Sequence, residues 1–353
     1  MELSIQQTDS RKALPDENEL TFGMIFSDHM FNMDYDPHRG WCNPRIEPYQ
    51  PIVMDPSTMV LHYGQSIFEG LKAFKTASGE IRLFRPQDNF RRFNLSAERM
   101  CIPQIDEAFA LNTLKTLLNI DKRWVPGTAG TSLYIRPTII AMDPYIGVRA
   151  SYTYRFFIIL CPVGAYYKEG FNPVKILVTD QYVRAVRGGT GEVKTAGNYA
   201  ASLYAGEEAH RIGFTQVLWL DGVEQKYVEE VGSMNIFFVI DDEIITPALS
   251  GSILPGITRD TVIELAAMWG KPVSQRRIGI NEVFDAHHAG RLKEVFGAGT
   301  AAVISPVGEI KYEDEVVRVG NGGVGYWANK FFTAITDIQN GSEEGLDGWS
   351  VTL

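Results

Sequence analysis

The sequence predicts a mixed α/β (or α+β) protein built as two halves, on three observations. Its 353 residues suffice for about two domains at roughly 150 residues each. Strand-like runs rich in β-branched and aromatic residues alternate with helical stretches, the pattern of mixed folds. Between residues 162 and 173 the stretch PVGAYYKEGFNP interrupts that pattern with glycine and proline, and reads as the connection between the halves. The expected division is a first domain over 1–163, a linker over 164–173 and a second domain over 174–353. A cleft between domains is where a ligand site is expected in such proteins.

In chain order, residues 1–20 read as a polar arm. Strands are expected at 81–84, 132–142 and 154–161, where β-branched and aromatic residues dominate. A helix opens at Pro86, whose fixed φ and missing N–H suit a first turn, and it places Phe90, Phe93, Ala97 and Met100 on one face. A second helix, over 108–118, repeats apolar residues at the same spacing. Beyond the linker, strands at 174–178, 216–220, 235–240 and 294–297 alternate with helices at 196–212 and 258–269, the latter stopped by Gly270. There is no low-complexity tract and no repeat of 20–50 residues.

Composition narrows the classes. With Lys plus Arg at 33 and Asp plus Glu at 43, the net charge is −10, which argues against a broad nucleic-acid or anionic-membrane footprint. Cys42, Cys101 and Cys161 are odd in number and too widely spaced for a disulfide framework or a zinc knuckle, so a reducing compartment is expected. The first 20 residues carry neither the apolar core of a secretory signal nor the Arg-rich, acid-poor character of a transit peptide. The longest near-apolar run, 156–165, is half a membrane span. These features read as a soluble, cytoplasmic protein.

Several motifs resemble chemistry without carrying it. Gly320-Asn-Gly322-Gly-Val-Gly325 is a literal G-x-G-x-x-G between a strand-like and a helical run. A dinucleotide site would need a following βαβ unit, and too little chain remains, so it reads as a glycine turn. Gly191-Glu-Val-Lys194-Thr195 lacks the glycine that a phosphate loop needs directly before its lysine. The adjacent His287 and His288 cannot share one face of a helix or strand. No H-E-x-x-H or G-x-S-x-G occurs, and no metal site is expected.

Four weak pieces remain. Lys194 lies between a glycine-rich turn (187–191) and an amphipathic helix, with Val193 and Ala196 as apolar neighbours. A lysine desolvated on such a turn becomes nucleophilic, whereas every other lysine reads as a solvated surface charge. Glu230, in Glu229-Glu230-Val-Gly232-Ser233-Met-Asn235, is either an exposed carboxylate at a strand entrance or a carboxylate held against a pyridinium nitrogen. Leu254-Pro255-Gly256-Ile257-Thr258-Arg259 is either a plain Thr-capped helix start or an anion site built from the N–H groups of Ile257 and Thr258. Phe296-Gly297-Ala-Gly299-Thr300-Ala301 is another glycine-rich turn with N–H groups and a hydroxyl. Together these match the parts of a pyridoxal 5′-phosphate site: an amine, a ring-nitrogen partner and a phosphate cradle.

The stretch from Glu230 through Asn235-Ile236-Phe237, Ile244-Ile245-Thr246 and Leu254-x-Gly256-Ile257-x-Arg259 resembles the signature of class IV aminotransferases. His62-Tyr63-Gly-Gln-Ser-Ile-Phe68-Glu69-Gly70-Leu-Lys72-Ala73-Phe74 is similar to branched-chain amino-acid aminotransferases in particular. So are Arg82-Leu-Phe-Arg85-Pro86, Leu133-Tyr134-Ile-Arg136-Pro137 and Gly197-Asn198-Tyr199. The resemblance runs from about residue 22 to 339.

It implies a fold-type-IV pyridoxal phosphate enzyme with a smaller first domain, a larger second one carrying Lys194, and the cofactor at the domain interface. By the resemblance, Lys194 is the Schiff-base lysine and general base, Glu230 the partner of the pyridine nitrogen and Tyr199 the partner of the ring phenolate. Arg92 and the 256–258 turn hold the phosphate with Thr300, beside Gly232, Ser233 and Gly299 among the cofactor contacts. Thr300 and Ala301 match the α-carboxylate site. Phe26, Tyr63, Tyr134, Arg136 and Tyr166 match the side-chain pocket, and Ile146 and Val148 a loop that reaches a neighbouring subunit's pocket, hence a homodimer. Where some animal members carry Cys-x-x-Cys, Ala302 and Ser305 stand here. The implied reaction moves an amino group from leucine, isoleucine or valine to 2-oxoglutarate, so its small-molecule partners are amino acids and 2-oxo acids. The rivals are a D-amino-acid aminotransferase or an aminodeoxychorismate lyase, typically shorter and without the His62–Phe74 pattern, and more distantly a nicotinamide dehydrogenase resting on Gly320–Gly325.

Overall fold

The computed structural model describes residues 1–164 and 171–353. The chain divides into two compact units, the first comprising Met1–Tyr166, Val193–Ala196 and Asp337–Leu353, the second Tyr167–Glu192 and Gly197–Thr336. Residues 193–196 and 337–353, expected in the second domain, therefore group with the first. Pairing explains both: Thr195 bridges to Ile67, and the C-terminal strand Ser350–Thr352 pairs antiparallel with Arg82–Phe84.

The first unit contains β1 (Ser4–Ile5), β2 (His29–Asp36), β3 (Gly40–Pro48), α1 (Met59–Tyr63), β4 (Ser66–Phe68), β5 (Leu71–Lys75), β6 (Ile81–Phe84), α2 (Pro86–Arg99), α3 (Glu107–Ile120), β7 (Ser132–Ala141) and β8 (Tyr154–Val163). Its sheet runs β1-β3-β2-β8-β7-β5-β6 and ends on the C-terminal strand, with β4 also paired to β7. Pro86 opens α2 as expected, and Asp106 caps α3 by accepting from the Phe109 N–H at 2.9 Å. Phe90, Phe93, Leu114 and Leu117 of the helices share one core with Leu71, Leu133, Ile135, Phe156 and Ile158 of the strands. Each such side chain, fully buried, contributes about 1.5–3 kcal/mol. Because side chains alternate along a strand, Lys72, Tyr134, Arg136 and Cys161 fall on the other face.

The second unit contains β9 (Val174–Thr179), α4 (Ala196–Ala200), α5 (Leu203–Arg211), β10 (Gln216–Leu220), β11 (Val228–Val231), β12 (Met234–Ile240), β13 (Glu243–Thr246), α6 (Ile257–Met268), β14 (Ser274–Gln275), α7 (Ile280–His288), β15 (Leu292–Gly299), β16 (Val303–Tyr312), β17 (Glu315–Arg318) and most of α8 (Tyr326–Asn340). Its sheet runs β11-β10-β9-β16-β15-β12-β13-β14, with β17 on β16, and β11 pairs β12 as well. Six strands thus close on themselves. The single helix expected over 196–212 is two, parted at Ala201 and Ser202, where the Ser202 hydroxyl donates to the Tyr199 carbonyl at 2.7 Å; a serine bonding its own backbone competes with helix continuation. The glycines at 320–325 form the turn into α8. The first N–H groups of that helix are taken by the Glu294 carboxylate, which accepts from Trp327 at 3.0 Å and Ala328 at 3.1 Å. A carboxylate already occupies the place a pyrophosphate would need.

Candidate active site

In the first unit the site draws on two places: Lys72, Tyr134 and Arg136 on the face of the sheet away from α2 and α3, and Arg92 and Ser96 on α2 itself. Lys194 is held by its backbone: its N–H donates to Ser96 Oγ at 3.0 Å, and its carbonyl accepts from the Phe68 N–H at 3.0 Å. The next residue adds a bond from Thr195 Oγ1 to the Ser66 carbonyl at 2.7 Å. The half-buried amine lies 5.0 Å from the Phe68 ring centroid, and the Arg136 guanidinium lies 4.6 Å from the same centroid. Arg136 Nη2 donates to the Tyr134 hydroxyl at 3.0 Å, while its buried Nε has no hydrogen-bond partner among the described residues. Gly70 is required here, because a Cβ would run into the Tyr134 hydroxyl.

Glu69 is the feature the sequence leaves unmarked. Fully buried, it accepts from Arg92 Nε at 2.7 Å, Arg92 Nη2 at 2.9 Å and Asn89 Nδ2 at 2.8 Å. Burial pushes its carboxyl up, but the Arg92 charge and hydrogen bonds, helped by Lys194, outweigh that and hold it below the usual range. Glu69 thus fixes the Arg92 fork bidentately and sets a negative charge beside Lys194. Only its place next to Phe68 hints at this.

The remaining first-unit residues lie as follows. Phe26 stacks on Tyr49, with centroids 5.2 Å apart, and packs with Phe22 against Tyr134 and Cys161. The Tyr63 hydroxyl donates to the Ile146 carbonyl, and Tyr63, Ile146 and Val148 are all exposed. Tyr166 lies outside the described residues. The expectation that lysines other than Lys194 are solvated fails at Lys72, which is 7% exposed. Strand alternation between Leu71 and Ala73 turns it onto the same face as Tyr134, its cross-strand partner.

In the second unit, Glu230 is buried on β11. It pairs with Arg184 and accepts from Asn235 Nδ2 at 3.3 Å; Asn235 also donates to the Leu254 carbonyl at 2.9 Å. Of the two readings of Glu230 left open by the sequence, the exposed carboxylate is excluded. Arg184, 46 positions upstream, gives no signal in the sequence. Asn235 also explains Gly256, where a Cβ would run into its Oδ1. Gly256 is the N-cap of α6 and has no side chain to cap it, and the first-turn N–H groups of Ile257 and Thr258 have no intrahelical acceptor. Thr190 and Asn198 tie the glycine-rich turn to α4, Nδ2 donating to the Thr190 carbonyl at 2.7 Å, and Tyr199 follows half-buried on that helix.

Gly232 and Ser233 form a two-residue hairpin between β11 and β12, with Gly232 at φ +56°. The N–H of Gly232 goes to the Val217 carbonyl at 2.7 Å, and its carbonyl accepts from Trp219 Nε1 at 3.1 Å, so its main chain is spent on the sheet. Thr300 and Ala301 sit in the turn between β15, ending at Gly299, and β16. There Val303 holds φ +64°, a strained geometry for a β-branched residue, of the kind that collects at functional sites.

These groups fit pyridoxal phosphate: a held amine, a buried carboxylate, a fixed guanidinium and a helix start without a side-chain cap are its usual donors and acceptors. Residues 66–310 match the family described as amino-transferase class IV, and the chain belongs to that family. It is 57% identical over 351 residues to branched-chain-amino-acid aminotransferase 2 of Bacillus subtilis (strain 168), covering 99% of this chain and 97% of that one. Its fold is similar to the crystal structure of the Escherichia coli branched-chain amino acid aminotransferase, with TM-score 0.77 and 26% identity over 92% of this chain and 98% of that one. It also resembles the T.th. branched-chain amino acid aminotransferase complexed with N-(5′-phosphopyridoxyl)-L-glutamate, with TM-score 0.76 and 25% identity over 93% and 99%. Within class IV, the chain's place is therefore among the branched-chain-amino-acid aminotransferases.

Proposed function

We propose that this enzyme, with pyridoxal 5′-phosphate, moves the amino group of leucine, isoleucine or valine to 2-oxoglutarate, giving the branched 2-oxo acid and glutamate in a ping-pong scheme. The observation that carries this reading is the arrangement around Phe68. An amine suited to covalent and proton chemistry and a guanidinium suited to a carboxylate flank one ring, at 5.0 and 4.6 Å from its centroid.

When bound, the cofactor supplies an aldehyde for the amine and a ring that accepts electrons. Lys194 Nζ would be the amine that holds that aldehyde at rest and, when free, the base that would carry the substrate's α-proton from the amino-acid side to the product side. Glu230, paired with Arg184, would accept the ring N–H. Arg92 and the N–H groups of Ile257 and Thr258 hold the phosphate, with Tyr199 and Thr300 completing the contacts. The Thr300–Ala301 turn would take the α-carboxylate, while Phe26, Tyr63 and Tyr134 would surround an aliphatic side chain and Arg136 would meet the distal carboxylate of glutamate. The chain works as a homodimer in the cytoplasm. Support for the location is its composition and the fact that, among the described residues, no helix is long and apolar enough to cross a membrane.

The purified protein is expected to be yellow and to bleach when leucine is added. Lys194→Ala should fold yet lose turnover by on the order of 10⁴-fold, since it removes both the bonding amine and the proton carrier. Near-normal transamination by that variant would overturn the reading.

A further inference from the structure

The arm over residues 1–20 is bound to the first unit at successive points. Ser4 and Ile5 pair with Arg45 and Ile46 of β3. The Thr8 N–H donates to His29 Nε2 at 2.9 Å, which leaves the neutral ring's proton on Nδ1, 2.6 Å from Asp121 Oδ1. The Lys12 N–H donates to Asp28 Oδ1 at 2.9 Å, and its carbonyl accepts from Arg123 Nη2. Asp28 is buried and also accepts from Arg123 Nη2 at 2.9 Å and Trp124 Nε1 at 3.0 Å, so the Lys12 backbone is tied to a fixed carboxylate.

The Lys12 side chain has a different target. Its Nζ donates to the Ser27 carbonyl at 2.8 Å and to the Phe26 carbonyl at 3.1 Å. It also lies 4.6 Å from the centroid of the Tyr49 ring, and that ring stacks on Phe26 at 5.2 Å with an interplanar angle of 5°. An ammonium has three donors and no acceptor. Here two reach the main chain at Phe26 and Ser27, and the charge rests on the aromatic platform under the Phe26 ring. Phe26 itself precedes β2 and packs on the cluster of Tyr134, Cys161 and Val163; the next N–H, that of Ser27, donates to the Leu160 carbonyl of β8 at 2.9 Å, and the Lys12 ammonium takes the carbonyl on the other side of that peptide.

We propose that Lys12 is a positioning residue for the substrate's side-chain pocket, holding Phe26 as its wall from outside. This rests on the reading of Phe26 as a pocket wall. The amine's contacts are the Phe26 and Ser27 carbonyls and the Tyr49 ring, and the residue is exposed to solvent, so its loss should change how well an aliphatic side chain fits and leave the chemistry alone.

The test compares Lys12→Met, Lys12→Arg, Tyr49→Leu and Phe26→Ala holoenzymes with leucine. Lys12→Met is expected to raise the leucine KM about tenfold, within what a disturbed apolar pocket costs, with kcat and melting temperature nearly unchanged. Lys12→Arg should restore most of the loss, because a guanidinium can also serve both carbonyls. Tyr49→Leu, which keeps the amine and removes the platform, should raise the same KM by less. A Phe26→Ala enzyme with raised leucine KM beside an unaltered Lys12→Met enzyme would overturn the positioning role while leaving the wall intact. A leucine KM unmoved by Phe26→Ala would overturn the wall reading and the proposal with it. A fall in kcat and melting temperature at constant KM, not restored by arginine, would make Lys12 a structural tie and overturn the proposal.

Discussion

Lys72 is a buried ammonium on β5, and burial pushes its pKa from 10.5 down to about 8. The charged form is the one that folding disfavours. Below pH 8 both folded and unfolded chains hold the proton, and the full penalty is present, about 3 kcal/mol at 1.36 kcal/mol per unit. Between pH 8 and 10.5 the folded chain has released its proton while the unfolded chain keeps it, so this contribution to stability improves as pH rises. Lys72→Met removes this pH dependence, so the parent should gain stability relative to the variant between pH 7 and pH 10. Urea unfolding midpoints at the two pH values decide this; a methionine variant weaker by the same amount at both would show that the amine's charge costs nothing. The residue is hard to read from sequence because Leu-Lys-Ala-Phe-Lys gives no sign of which lysine the sheet covers. Glu69 and Lys12 share that difficulty: the donors to Glu69 come from Asn89 and Arg92, about 20 positions on, and the partners of Lys12 from residues 26–28.

At the scale of elements, legibility follows periodicity and punctuation. β10 and β6 have the expected bounds, and α2 and α6 start within a residue of theirs, because proline, glycine and apolar spacing mark them locally. β2 is marked less plainly: Phe31, Met33 and Tyr35 alternate with Asn32, Asp34 and Asp36, but Asn and Asp are depleted in strands, and Asp34 finds its partners on neighbouring strands, in Arg45 of β3 at 2.7 Å and Arg155 of β8 at 2.9 Å. The two-residue period of β7 correctly puts Tyr134 and Arg136 on one face. It could not show that Arg136 keeps a buried Nε without a hydrogen-bond partner among the described residues, a donor that suits a ligand carboxylate. Arg136→Met should therefore slow the glutamate half-reaction about 10–100-fold, the worth of one charge-assisted hydrogen bond, and the leucine half-reaction much less. Stopped-flow absorbance with each amino acid separately measures the two, and equal losses would make Arg136 a structural residue.

At the scale of the whole molecule, the described surface carries a concentration of apolar and aromatic side chains at α1 and the loop before β8, of the kind that marks an interaction site. Leu61 and Tyr63 of α1, with Tyr145, Ile146, Val148 and Tyr152 of the loop before β8, are all exposed, Val148 at 84%. They form one neighbourhood: the Tyr63 hydroxyl donates to the Ile146 carbonyl, and Arg149 lies over the rings of Tyr145 and Tyr152 at 4.6 and 3.9 Å. A loop pinned this way is already ordered, so a second copy binding there loses little conformational entropy. The chain mass is 39.5 kDa, and sedimentation of the holoenzyme should report about twice that. Val148→Asp would place a charge in the apolar contact, where desolvation is costly, and should shift the protein toward monomer. If the neighbouring copy's loop completes the pocket, turnover per chain in that variant should fall on dilution and recover on concentration, which a locally misfolded loop would not do. A fully active monomer of Val148→Asp, or of the parent, would separate the exposed loop from catalysis and refute the homodimer.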